Sequence, residues 1–217
     1  MARISSIEPQ KRDPDRVNIH LDGDYAFALA GVVAARLRVG QELAPGSVAA
    51  LQAEDAREDA YQRSLRFLSI RTRSESEIRQ YLRKHKVADD ILEQTLVRLR
   101  SNRLADDGQF ARAWVENRNT FRPRGQRALA WELQRKGVSA PVAQAALATV
   151  DEPALAYQAA SKRARQMGDL PWEEFRRKLS GFLARRGFPY SAIAPVVSRI
   201  WNETHSTQNK SDDEVIT

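Results

Sequence analysis

The sequence predicts a mainly α-helical protein with three tandem three-helix repeats, which form an elongated, curved, solenoid-like stack behind a small N-terminal β-hairpin or β-sheet element. A constant offset of 51 residues superimposes residues 71–87 on residues 122–138, with apolar positions on apolar positions. A third copy, residues 179–188, follows the second at an offset of 50. Internal repeats of this length are typical of stacked helical units that bury one face against their neighbours and leave a long surface free.

Residues 1–46 are predicted to form the β-rich element. Residues 17–21 alternate apolar and polar side chains, residues 25–29 alternate large side chains with alanine, and Asp22-Gly23 lies between the two runs. An Asp-Gly pair between two alternating runs is a strong hairpin signal. Because a lone hairpin is only marginally stable in water, it should pack against neighbouring elements. Those elements are predicted as strands at 4–7 and 41–43 and a short helix at 31–37.

Residues 47–105 are predicted to hold a linker helix and the first repeat. Ser47 is the expected N-cap of the linker helix. Within the repeat, Ser74 and Glu77 match a capping box, in which the serine hydroxyl accepts from the N3 amide and the glutamate reaches back to the cap amide. Asp89 or Asp90 is expected to cap the third helix, since it precedes an apolar face. The residues of that predicted buried face are Leu92, Thr95, Leu96 and Leu99.

Residues 106–151 and 152–203 are predicted to be the second and third repeats. Gly137 and Gly187 follow equivalent helices, where a left-handed residue commonly ends a helix. Residues 204–217 are polar and lack a pattern, so they are predicted to be a disordered tail. The third helices of these repeats have predicted buried faces with the same spacing as in the first repeat: Ala143, Ala146, Leu147 and Val150, then Ile193, Val196, Val197 and Ile200.

The composition argues against chemistry in a pocket. The chain has no cysteine and three scattered histidines, and its ten glycines do not form a phosphate-binding loop. Asp106-Asp107 is the one adjacent acidic pair worth testing as an acid/base centre, but its position favours a helix cap. We therefore expect no enzyme activity, no catalytic residue, no metal and no cofactor. No apolar run approaches the roughly 18 residues of a membrane helix, so a cytoplasmic protein is expected.

The positive charge lies in the helical repeats. The formal net charge is +7; residues 58–150 alone carry 18 basic and 11 acidic side chains, a net of +7, whereas residues 1–57 carry 7 and 8, a net of −1. Such a field raises encounter rates with polyanions or acidic protein surfaces. The alternative is that these arginines are simply solvated, good helix formers.

Several basic residues recur in register. Arg71 and Arg73 precede a helix in the first repeat as Arg122 and Arg124 do in the second, a place that the helix dipole disfavours for cations. Basic residues at helix C-termini, by contrast, are favoured by the dipole. Trp131 lies off the face of its helix that holds the core residues, so it is a candidate surface anchor. The full set of candidate binding residues is Arg71, Arg73, Lys84, Arg122, Arg124, Arg127, Trp131, Arg135, Lys136, Arg185 and Arg186.

The repeats resemble the RecX family of bacterial regulatory proteins, which modulate the RecA recombinase. The resemblance runs from about residue 60 to residue 201 and says little about the β element. It rests on these segments: Arg71-x-Arg73-Ser74, Leu104-x-Asp106-Asp107-x-x-Phe110-Ala-x-x-Trp114, Arg122-Pro-Arg124-Gly125, Glu132-Leu133-x-x-Lys136-Gly137-Val138 and Phe182-Leu183-x-x-Arg186-Gly187-Phe188.

The resemblance implies a non-catalytic protein that binds along the RecA–single-stranded DNA filament. Such proteins suppress strand exchange, ATP hydrolysis and the co-protease activity that triggers the SOS response. The expected partners are the RecA filament, single-stranded DNA and, as a further possibility, double-stranded DNA; no membrane is expected, and the protein should be a monomer. Two alternatives stay open: a helical repeat protein that binds nucleic acid without RecA, and an adaptor for another acidic protein.

Overall fold

The computed structural model describes the backbone of residues 1–213 and the side chains of residues 1–204. The chain forms two compact units, Met1–Ala105 and a second unit that begins at Asp106. The described residues are mostly helical, with a small antiparallel sheet at the N-terminus, which confirms the predicted fold class. Within that part of the chain, no helix combines the length and apolar character that crossing a membrane requires.

The sheet of the N-terminal unit has four antiparallel strands in the order β3-β2-β1-β4. The predicted hairpin is confirmed: Asp22 and Gly23 both take positive φ, 53° and 98°, as a two-residue turn between right-twisted strands requires. Among the residues of this sheet, Ile4, Ile19 and Leu29 are fully buried. The elements are β1 (Ala2–Pro9), β2 (Arg16–Leu21), β3 (Asp24–Ala30), α1 (Gly31–Ala34) and β4 (Glu42–Leu43).

The first repeat consists of α2 (Pro45–Ile70), α3 (Glu75–Lys84) and α4 (Asp89–Ser101). The capping box of Ser74 and Glu77 is confirmed at the start of α3. All four residues predicted for the core face of α4 are buried.

Two predicted caps of these helices are wrong. Helix α2 begins two residues before Ser47, at Pro45, because proline has no amide hydrogen to satisfy and its fixed φ suits the first turn. Asp89 and Asp90 lie inside the first turn of α4 and their side chains do not cap it. Their charge still favours the positive end of the helix dipole.

The second repeat consists of α5 (Asp107–Phe121), α6 (Gln126–Arg135) and α7 (Ala140–Leu147). The Oδ1 atom of Asp106 accepts hydrogen bonds from the amides of Gly108 and Gln109, at 2.7 and 3.0 Å. Asp106 is therefore the N-cap of α5, as the position of the acidic pair predicts. The four residues predicted for the buried face of the last helix are buried, but Val150 lies beyond the end of α7 rather than on it.

The third repeat consists of α8 (Glu152–Ala164), α9 (Trp172–Arg185) and α10 (Tyr190–Asp213). Its predicted buried face on α10 is confirmed. Helix α10 enters the segment predicted to be a disordered tail, whose last four residues, 214–217, lie outside the described residues. The division of the chain into separate domains at the predicted boundaries stays a prediction.

In each of the three repeats, the residue two positions after the second helix has a left-handed backbone conformation. Gly137 and Gly187 have φ of 79° and 86°, as predicted, but the first repeat has Lys86 there, with φ of 58°. A lysine in this region of backbone space is strained, since its β-carbon crowds the backbone.

Candidate functional site

Arg71 is held by the capping box of its own repeat. Its two Nη atoms donate to the carboxylate of Glu77 at 2.9 and 3.1 Å, and that carboxylate also accepts from the amide of Ser74. The expectation that helix physics offers no reason for an arginine at this place is therefore wrong. The glutamate of the capping box supplies the reason, because it pairs with the arginine while it caps the helix.

Arg73 packs on an aromatic stack. Its guanidinium carbon lies 4.1 Å from the centroid of the Phe67 ring, and Phe67 stacks on Tyr81 with centroids 4.1 Å apart. Burial lowers the pKa of Arg73, and the charge of Arg71 lowers it further, while Glu77 opposes both effects. In the described part of the chain, its Nε is buried without a hydrogen-bond partner.

Arg124 pairs with a buried carboxylate in the second repeat. Glu132 is 8% exposed and accepts from Arg124 Nη1 at 2.7 Å, from Arg118 Nε at 2.8 Å and from Trp114 Nε1 at 2.8 Å. Burying a carboxylate is favourable only when it is paired and hydrogen-bonded in this way. Arg124, like Arg71, thus has a structural role in its own repeat.

The same three positions carry different chemistry in the first two repeats. The offset of 51 residues places Phe67, Arg73 and Tyr81 on Arg118, Arg124 and Glu132. The first repeat therefore holds its arginine with a stack of aromatic rings. The second holds its arginine with an ionic network.

A basic cleft of about 580 Å³ opens between the second and third repeats, inside the C-terminal unit. The loop after α5 forms one wall, α8 forms another and the end of α9 closes the cleft. It contains no acidic side chain among its lining residues. The cations that line it are Arg122, Arg124, Lys162, Arg163, Arg185 and Arg186.

Backbone contacts hold the two sides of the basic cleft together. The amide of Gly125 donates to the carbonyl oxygen of Arg186 at 3.0 Å, and Arg186 Nη1 donates to the carbonyl oxygen of Pro123 at 3.2 Å. The Arg186 guanidinium also lies over Phe182, 4.5 Å from the ring centroid. Arg186 thus joins the two repeats and presents its charge to the cleft.

The positive charge in the basic cleft is poorly compensated. Burial lowers the pKa of Arg186, and the neighbouring charges of Arg124 and Arg122 lower it further. Of the six cations, Arg124 has a carboxylate partner within the described residues, and the other five have none there. Like charges that converge without counter-charges disfavour one another, so the cleft is suited to an anion.

Sequence reasoning found four of the six cations and missed Lys162 and Arg163 on α8. The available signal was the run Gln158, Lys162 and Gln166, whose spacing of four residues places polar side chains on one face of a helix. The third repeat alone carries this pair, so comparison of the repeats does not reveal it.

The remaining predicted residues lie outside the basic cleft. Trp131 is 55% exposed, as predicted, and the guanidinium carbon of Arg135 lies 4.7 Å from a ring centroid of Trp131. Lys136 lies over Trp114. Lys84 and Arg127 are exposed on α3 and α6.

Models of one protein family match most of the chain. The model described as the regulatory protein RecX N-terminal domain matches residues 2–44. The models of the first, second and third RecX three-helix domains match residues 60–99, 106–147 and 151–197. Each three-helix match falls on one of the repeats.

Individual proteins agree with these matches. The chain is 30% identical to the regulatory protein RecX of Bacillus velezensis, in a match that covers 99% of this chain and 81% of that protein. It is 33% identical to the regulatory protein RecX of Limosilactobacillus reuteri, in a match that covers 92% of this chain and 77% of that protein. A crystal structure of a regulatory protein RecX superposes with a TM-score of 0.73 at 32% identity, covering 88% of this chain and 97% of the other. The crystal structure of RecX from Lactobacillus salivarius shares the fold, with a TM-score of 0.63 at 21% identity over 68% of this chain and 97% of that one.

Proposed function

The chain belongs to the RecX family, and from this premise we propose that it binds the filament of RecA on single-stranded DNA and inhibits its activities. The activities concerned are strand exchange, ATP hydrolysis and the co-protease activity of the SOS response. The protein would act in the cytoplasm, in the control of DNA repair and recombination, by steric and electrostatic means rather than by catalysis. Its relatives are named regulatory proteins, in agreement with a non-enzymatic role.

The basic cleft is the observation that carries this proposal. A filament of protein on DNA presents phosphates and acidic side chains at a regular spacing. A cleft with five cations that have no carboxylate partner in the described structure would attract such a surface. The positive field would steer association and weaken as salt rises.

The test is the ATPase activity of RecA on single-stranded DNA, titrated with this protein. The informative variant is Arg122→Glu with Lys162→Glu, because neither side chain has a structural partner among the described residues. Arg71 and Arg124 are poor choices, since reversing them would break ion pairs with Glu77 and Glu132. The control is Lys11→Glu with Arg12→Glu, which changes the net charge equally in an exposed loop before β2.

We expect the cleft variant to need much higher concentrations for inhibition than the wild type, whereas the control should inhibit normally. Equal inhibition by a folded cleft variant would remove the basic cleft from the RecA interface. Absence of inhibition by the wild-type protein would refute the proposal itself.

A second candidate is a nucleic-acid-binding protein that needs no RecA. Phe121, at the rim of the basic cleft, is 72% exposed, and an exposed ring beside cations favours stacking on a nucleic-acid base. Tight, strongly salt-dependent binding of single-stranded DNA without RecA would support this candidate. An adaptor for another acidic protein would instead retain that protein in a pull-down from cell extract and bind DNA weakly.

A further inference from the structure

Five cations converge in the basic cleft without a carboxylate partner among the described residues, whereas several other arginines that lie near one another pair with carboxylates. Arg79 pairs with Glu93, and Arg100 donates to both oxygens of Glu75. In the basic cleft, two repeats bring their cations together without such partners. The contact between the repeats that includes Gly125 and Arg186 must hold these like charges close to each other.

The number and type of the cations favour phosphate over carboxylate. One carboxylate would neutralise one of five positive charges, whereas two adjacent phosphate groups bring several negative oxygens into a small space. Guanidinium groups match phosphate oxygens with paired N–H donors. Among the described residues, Arg122 and Arg185 have no side-chain hydrogen bond, so all their guanidinium donors face solvent or a ligand.

The apolar part of the basic cleft favours a phosphate that carries a base. Phe121 directly precedes Arg122 in the chain, and both line the cleft. A large exposed ring beside a phosphate-binding arginine is the arrangement by which single-stranded nucleic acids and nucleotides are held, with the ring stacked on a base. A volume of about 580 Å³ is that of an ordinary small-ligand site, large enough for one nucleotide with its phosphates.

We propose that the basic cleft is a nucleotide-phosphate site, in which Arg122, Lys162 and Arg186 hold adjacent phosphate groups and Phe121 stacks on the attached base. The phosphates come either from a single strand of nucleic acid or from a free nucleoside triphosphate. This inference deepens the proposed function, on which it rests, by naming the chemical group that the cleft recognises.

The test measures binding of four probes to the full chain: pentathymidylate, ATP, inorganic tripolyphosphate and hexaglutamate. The first variant is Arg122→Gln with Lys162→Gln, which removes charge and spares Arg186, the residue that joins the repeats. The second is Phe121→Ala. The control is Arg176→Gln with Lys178→Gln, an equal loss of charge on α9 outside the basic cleft. Circular dichroism confirms that each variant is folded.

We expect the charge variant to bind every phosphate probe about tenfold or more weakly, with the control unchanged. Phe121→Ala should weaken the binding of pentathymidylate or ATP and leave tripolyphosphate unaffected, because tripolyphosphate has no base. Preference for pentathymidylate would identify a nucleic-acid strand as the ligand, and preference for ATP would identify a free nucleotide. Unchanged binding by the charge variant, or hexaglutamate binding as tightly as tripolyphosphate, would overturn the proposal.

The same variants separate this proposal from the proposed function. If the charge variant loses phosphate binding but still inhibits the RecA ATPase, the phosphate site stands and is not the RecA contact. If the wild-type protein binds the phosphate probes but never inhibits RecA, the proposed function fails and the site remains.

Discussion

Gly125 and Gly187 meet backbone to backbone, so closely that a β-carbon on Gly125 would overlap the carbonyl oxygen of Gly187. One glycine comes from the loop before α6 and the other from the turn after α9. Because the amide of Gly125 also bonds to Arg186, this contact sets how the second repeat meets the third. It therefore sets the distance between the walls of the basic cleft.

We expect Gly125→Ala to destabilise the C-terminal unit by about 1–3 kcal/mol, because the added methyl group must displace backbone. Tryptophan fluorescence during urea unfolding measures this unit selectively, since all four tryptophans follow residue 105. The control is Gly181→Ala in α9 of the same unit, where an added β-carbon meets only the far end of the flexible Arg185 side chain. An unchanged unfolding midpoint for Gly125→Ala would show that the repeats are not in close contact here.

We expect Lys86→Gly to stabilise the N-terminal unit by about 0.5–1 kcal/mol, since glycine takes a positive φ without strain. The converse change at the equivalent position, Gly137→Ala, should destabilise the C-terminal unit by about 1 kcal/mol. Urea unfolding followed by circular dichroism measures both. Loss of stability in Lys86→Gly would mean that the lysine side chain contributes more than its backbone strain costs.

We expect Glu132→Gln to destabilise the C-terminal unit by about 2–3 kcal/mol, because Arg118 and Arg124 would lose their shared buried counter-charge. The matched control is Glu173→Gln on α9, whose carboxylate is 75% exposed and pairs with Arg176. An exposed pair of this kind contributes little to stability, because water and salt screen it. If urea unfolding gives the two variants equal stability, the Glu132 network is not stabilising.

The stability of the N-terminal unit should depend on pH through Glu58. Burial alone would raise the pKa of Glu58, but hydrogen bonds from Arg98 and Gln62 and the charge of Arg98 outweigh it, so the pKa lies below its ordinary value of 4.5. The unfolded chain then binds the proton more readily than the folded chain. The stabilisation is present above pH 4.5 and is lost as the pH falls through the lowered value.

Glu58→Gln should therefore lose stability at neutral pH and show a flatter decline of stability in acid than the wild type. Urea unfolding by circular dichroism between neutral and acidic pH measures the slope. The control is Glu116→Gln, an exposed residue of α5 in the other unit. A variant slope as steep as that of the wild type would assign the acid sensitivity to other groups.

Trp131→Ala should leave stability within about 0.5 kcal/mol, because the side chain is largely exposed. If Trp131 is a surface anchor, the variant should inhibit the RecA ATPase more weakly. Trp172→Ala is the contrasting variant: Trp172 packs against Trp201 in the third repeat, so its loss should lower stability. Normal inhibition by folded Trp131→Ala would exclude Trp131 from the interface.

Local features of the fold were predictable from the sequence, and features that depend on burial or on distant contacts were not. The hairpin at Asp22-Gly23 and the capping box at Ser74 depend on neighbouring residues, so their chemistry is readable directly. The buried faces of the helices follow from the regular spacing of apolar residues along the sequence. The pairing of Arg124 with Glu132 was missed because spacing does not reveal that a glutamate beside core Leu133 turns inward.

The candidate site was predictable only in part for the same reason. Recurrence between repeats drew attention to Arg122 and Arg186, whereas the adjacent pair Lys162 and Arg163 recurs in neither of the other repeats. Their convergence depends on the close approach of Gly125 and Gly187, residues that are far apart in the chain. Only the folded structure shows this convergence.

The first repeat has an aromatic stack where the second has an ionic network, so a helix grafted from one repeat into the other would lose its contacts. A chimaera that carries α3 in place of α6 would set Tyr81 opposite Arg118 and Arg124 and leave both guanidinium groups without their carboxylate. The reciprocal graft would bury a glutamate against Phe67. Recombination between the modules would thus have to transfer all three positions at once, which constrains both natural shuffling and the construction of longer arrays from these parts.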